Sequence, residues 1–167
     1  MRKIVSVIMA ILVLFSFTAY AAENPTLIEY RSKIFDESRA IKLLLSSTKR
    51  DMVFLSSMWD ACIASMTQLD AYFGMVGVFN TIKKDEVTDR AVSYLIDWLN
   101  VIKSANEISI KNLEAISSRQ LEDKTKSRLG RLVKYYTGLD KRLDTELTGL
   151  AALKATARKE KVSGGRR

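Results

Sequence analysis

From residue 26 onward, apolar residues return at steps of three and four, close to the 3.6-residue turn of an α-helix, and that spacing predicts helices. Residues 52–80 keep it without missing a turn. Met52, Leu55, Trp59, Cys62, Met66, Leu69, Phe73 and Val76 form one stripe there, flanked by Phe54, Met58, Ile63, Tyr72, Met75 and Phe79. A stripe that wide needs cover on most sides, so this segment is expected to be the most buried helix of a bundle. Upstream, Leu27, Ile34, Ile41 and Leu45 predict a helix over 26–47, with Pro25 at its start and Arg31 and Ser38 interrupting its stripe.

The spacing runs from this helix into Met52 without a change of phase, so a single rod of roughly 55 residues, about 80 Å long, is the alternative to two helices. The polar run 46–51 favours a break, and Thr48-x-x-Asp51 has the form of a capping box. Gly74 and Gly77 could let another helix approach closely. The run Lys83-Lys84-Asp85-Glu86 predicts a turn near 81–85, its acidic pair suiting the first turn of the next helix. A third helix over 86–118 carries Val92, Leu95, Leu99, Ile102, Leu113 and Ile116, with Asn106 and Ser109 at two consecutive core positions. A fourth, over 124–160, carries the coiled-coil-like seam Leu129, Leu132, Tyr136, Leu139, Leu143, Leu150, Leu153, broken only at Glu146. The expected fold is all-α: an antiparallel four-helix bundle, or alternatively a three-helix bundle or coiled coil with one long N-terminal helix.

The N-terminus reads differently. Arg2 and Lys3, the apolar run 4–17 and Ala19-Tyr20-Ala21 make a secretory signal over 1–22, with an uncleaved membrane anchor as the alternative. The bundle then spans 23–161 and residues 162–167 read as a flexible basic tail.

Composition removes several functions. The chain has no His and a single Cys, Cys62. Ordinary zinc sites, c-type haem attachment, the Glu-x-x-His di-iron pattern and an internal disulfide are thereby excluded. Catalysis has little to stand on, because carboxylates such as Asp60 and Asp70, or Glu107 and Glu114, lack a base or nucleophile beside them in the sequence. Met58, Cys62 and Met66, four residues apart, are the soft ligands Cu(I) selects, although the same residue types fill cores. Asn106 and Ser109 could line a small-ligand pocket, or form a polar layer that fixes helix register.

Charge is unevenly placed. Residues 122–167 hold 13 Lys and Arg against 6 Asp and Glu, while 23–121 hold 12 against 13. The basic character belongs to the last helix, where Lys124, Arg128, Arg131, Lys134, Lys141 and Arg142 lie to one side of the apolar seam. Outside the cytoplasm such a face meets acidic proteins or anionic envelope surfaces rather than nucleic acid. The sequence therefore points to an exported, periplasmic or secreted, non-enzymatic interaction protein of scaffold, adaptor or chaperone-like type, with no cofactor. The alternative is a periplasmic sensor or carrier that binds a small molecule or soft metal in its core. Association with a membrane surface, or with a second copy through the regular seam of the last helix, is compatible with either.

Overall fold

The computed structural model describes residues 26–81 and 89–164, with side-chain surroundings for 26–79 and 90–155. They form α1 (Leu27–Ser47), α2 (Met52–Thr81), α3 (Asp89–Ser117) and α4 (Asp123–Gly164). Each helix packs on the next in the chain and α4 closes onto α1. Directions follow from cross-links between distant residues. Arg31, near the start of α1, grips Asp70, toward the end of α2, while Asp51 just before α2 meets Glu122 just before α4. The molecule is an antiparallel four-helix bundle. The signal segment 1–22, the turn expected at 82–85 and residues 165–167 lie outside the described residues.

Helix α1 begins at a capping box that the sequence reading passed over. The Thr26 hydroxyl accepts the Glu29 N–H at 3.2 Å, and the Glu29 carboxylate accepts the Thr26 N–H in return. That backbone donor holds the Glu29 carboxyl below its usual range.

The helix ends at Ser47 because Thr48 is extended, at φ −126° and ψ 145°, with its N–H still bonded to the Leu44 carbonyl. The single-rod alternative fails there. Thr48 and Asp51 nevertheless do not form the capping box expected of them. The Thr48 hydroxyl takes the Arg50 N–H and reaches Glu122, and the buried Asp51 carboxylate accepts the Glu122 N–H at 2.9 Å. Both side chains are used to latch two neighbouring turns together rather than to close one helix end.

Helix α2 departs from expectation in phase and in burial. Its buried residues are Leu55, Met58, Cys62, Ser65, Met66, Leu69 and Tyr72, which leaves Trp59 and Phe73 half-buried and Met52 exposed. Only 28% of its most apolar window is buried, and Val53 is 75% exposed. With α1 and α3 as its adjacent helices, α2 keeps its remaining side outward, so it is not the enclosed centre of the bundle. By length and composition α2 could also cross a membrane, yet its Asp70 is ion-paired to α1 within the bundle. Among the described residues Gly74 and Gly77 serve no close approach, because a methyl group at either would meet none of them within 4 Å.

The seam of α4 is spent within the molecule: Leu129, Leu132, Tyr136, Leu139, Leu143 and Leu150 are all buried in the common core, so it is not the face for a second copy. Helix α4 also continues to Gly164, three residues into the expected tail, since nothing breaks it before the Gly164-Gly165 pair.

Candidate interaction surface

The six cations singled out on α4 divide into two groups. Arg128 and Arg131 both turn to α1, where Glu37 is 6% exposed: Arg128 Nη1 lies 3.1 Å and Arg131 Nε 2.6 Å from its carboxylate oxygens. A buried carboxylate persists only when cations and hydrogen bonds replace its lost water, and two guanidinium groups do so here. Arg142 is itself buried, donating to Glu146 one turn further along α4. Glu146, the irregular step in the α4 seam, is therefore the counter-ion of a buried arginine. By contrast Lys124, Lys134 and Lys141 are exposed. Lys134 and Lys141, seven residues apart, stand on the outward side of α4, about 10 Å from each other along the axis.

A separate ion cluster joins α3 to α4. Lys103 of α3 reaches Asp140 and Asp144, each at 3.1 Å, and Glu107 at 3.3 Å. Burial alone would push its ammonium down, but the three carboxylates outweigh that and hold it above the ordinary lysine range. Neither Arg128–Glu37 nor Lys103–Asp140 could be found by local spacing, because the partners are 91 and 37 residues apart. The one local hint is Ser38, which interrupts the α1 stripe beside Glu37.

The two core candidates are structural in their contacts. The Met58 and Cys62 side chains are fully buried and Met66 nearly so. Burial, with the Glu37 charge adding to it, pushes the Cys62 thiol up to about 12, whereas a soft-metal ligand must be a thiolate. In the described structure these three side chains pack in the core. Asn106 donates to the Tyr136 carbonyl at 3.0 Å and to Asp140 at 3.2 Å, and its Oδ1 has no partner among the described residues. Ser109 does not join it. Its hydroxyl returns to the Ala105 carbonyl, and the residue lines an open groove of about 570 Å³ between α2 and α3. The buried polar layer consists instead of Asn106, Tyr136 and Ser65, whose hydroxyl donates to the Tyr136 oxygen at 2.9 Å. This layer ties α2, α3 and α4 in register, the second of the two roles expected for Asn106.

The carboxylates considered for catalysis are not brought together: Asp70 is bound to Arg31, Glu107 to Lys103, Asp60 lines the α2–α3 groove and Glu114 is exposed. A second groove, of about 710 Å³, lies between α1 and α2, lined by Arg39, Lys42, Leu43, Leu45, Ser46 and Trp59. Lys42 stands 6.0 Å above the Trp59 ring and Arg39 5.8 Å above Phe35. Sequence spacing gave no sign of Lys42 beside Trp59, which meet only after α1 folds onto α2, whereas Phe35 and Arg39 are four residues apart on one helix.

No family model, curated protein or solved structure matches the chain.

Proposed function

We propose that the protein is an exported, non-enzymatic helical bundle that works by contact, docking an acidic partner through the outward lysines of α4. The observation that carries this reading is the division of the α4 cations. Arg128, Arg131 and Arg142 are held by carboxylates of the bundle, whereas Lys124, Lys134 and Lys141 are exposed along the same helix. A lysine row that the fold does not use for its own core presents positive potential to carboxylate- or phosphate-bearing surfaces. The core gives the same reading indirect support. Ser65 and Asn106 each bond to Tyr136 between helices, and the core's sulfur side chains are packed among Leu and Ile.

The test uses anionic vesicles and a soluble polyanion, with the chain and a Lys124→Gln/Lys134→Gln/Lys141→Gln variant. Binding is expected to weaken steeply as ionic strength rises past the range where the screening length is about 10 Å, and the variant should bind at least about tenfold more weakly at low salt. Equal binding by the variant, or binding indifferent to salt, would refute the proposal.

A further inference from the structure

The groove between α1 and α2 is cationic and apolar at once. Arg39 and Lys42 line it together with Leu43, Leu45 and Trp59, and its lining contains no carboxylate. The groove between α2 and α3 is the opposite case, its one charge being that of Asp60. Leu45 and Trp59 are half-buried and make the inner wall of the α1–α2 groove, while Leu43, 72% exposed, stands at its rim.

The two cations are held in place without being neutralised. Lys42 Nζ lies 6.0 Å from the centroid of Trp59, and Arg39 Cζ 5.8 Å from that of Phe35. An aromatic face orients a cation yet leaves its charge open to an anion. Arg31 shows the contrast: it also stands over Phe35, but Asp70 takes its charge. Among the described residues no carboxylate comes within ion-pair distance of Arg39 or Lys42. Three residues apart on α1, they stand about 4.5 Å from each other along its axis, close enough for one anionic head to meet both. The remaining polar group of the lining, the Ser46 hydroxyl, already donates to the Leu43 carbonyl.

We propose that this groove holds a free anionic amphiphile of one alkyl chain, its carboxylate or phosphate head on Arg39 and Lys42 and its chain against Leu43, Leu45 and Trp59. The site stands apart from the α4 lysines and does not depend on them. Charge selects the head, and the recess selects the chain: a groove of about 710 Å³ lies within the range of about 300–1,000 Å³ for small-molecule sites. An extended peptide fits less well. Each of its residues would bring an N–H and a C=O to a groove walled by helices whose own backbone groups are already bonded. A helical peptide satisfies its own backbone but seats through anchors spread over two turns or more, and this lining offers three apolar residues. A bilayer presents a flat field of headgroups, which reaches Leu43 at the rim but not Leu45 and Trp59 on the inner wall.

Isothermal titration calorimetry of the whole chain with octanoate, decanoate and dodecanoate, kept below micelle-forming concentrations at about pH 8, where the heads are ionised, tests this. The expected result is one saturable site whose affinity rises up to about fourfold for each added CH₂ that is buried. Arg39→Gln/Lys42→Gln and Leu43→Asp should each bind decanoate at least about tenfold more weakly, and the parent should bind neutral decanol more weakly by a similar factor. All three substituted positions are exposed, and circular dichroism checks that the bundle is intact. Absence of a saturable site overturns the proposal, as does binding that the substitutions leave unchanged or decanol that binds as tightly as decanoate. Anionic vesicles or an acidic peptide that bind through Leu43 while the alkanoates do not would make a bilayer or a protein the occupant, and overturn it equally. Lys124→Gln/Lys134→Gln/Lys141→Gln should bind decanoate as the parent does; loss in that variant would place the site on α4 instead.

Discussion

Cys62 and Arg128 belong to residue types that usually advertise reactivity and surface charge, and in both cases the surroundings decide otherwise. The Cys62 side chain is fully buried, beside the Tyr136 hydroxyl, and its thiol is pushed up to about 12. At pH 8 only about one thiol in ten thousand is ionised at any moment, before access is considered. A disulfide-exchange reagent at that pH is therefore expected to leave the folded chain unlabelled over the time in which it labels the urea-unfolded chain fully. Prompt stoichiometric labelling of the native protein would show that the thiol is not in the core. The identity of Cys62 as a core position was legible from its place in the α2 stripe. The commitment of Arg128 was not, because nothing near it in sequence announces Glu37.

At the scale of helices, existence and type followed from spacing alone, whereas the break between α1 and α2 was signalled by the polar run 46–51 and not by spacing. Rotational phase did not. Trp59 and Phe73 have the stronger claim to burial by hydrophobicity, yet Met58 and Tyr72 take the inner positions because the line running through Ser65 faces Tyr136 across the core. Register between helices was equally hidden, being set by Asp51 with Glu122 and by Trp98 with Gln68, side chains that bond to another segment's backbone.

The packing of α4 on α1 adds a further contact of this kind at Gly138. A methyl group there would come within 2.8 Å of the Tyr30 ring carbons, whereas one at Gly130 would meet nothing within 4 Å. Gly130→Ala is therefore expected to stabilise the protein by about 1 kcal/mol through helix propensity. Gly138→Ala should lose that gain to overpacking, which costs about 1–3 kcal/mol. Urea unfolding of both variants, with and without Tyr30→Ala, checks this. Gly138→Ala should become stabilising once Tyr30 is truncated, and a gain equal to that of Gly130→Ala in the intact background would contradict the close packing.

For the whole molecule, the bundle was readable and the use of its surfaces only partly so. The sequence placed an excess of positive charge on α4 but could not separate cations that hold the fold from those that face outward, since that depends on which carboxylates the other helices bring. It also suggested the α4 seam for self-association, whereas the folded chain buries that seam and leaves the α2–α3 face outward. An all-round apolar pattern such as that of α2 is ambiguous in one dimension: it describes a helix enclosed by its own chain and a helix with one side left outward.

Urea unfolding of two variants side by side measures the difference between the two kinds of cation on α4. Arg128→Ala/Arg131→Ala leaves the buried Glu37 carboxylate without its counter-ions and is expected to cost on the order of 3 kcal/mol. The exposed triple variant Lys124→Gln/Lys134→Gln/Lys141→Gln should stay within about 0.5 kcal/mol of the parent chain. An arginine pair that can be removed without loss of stability, or a lysine triple whose removal unfolds the protein, would contradict the assignment of these residues to fold and to contact.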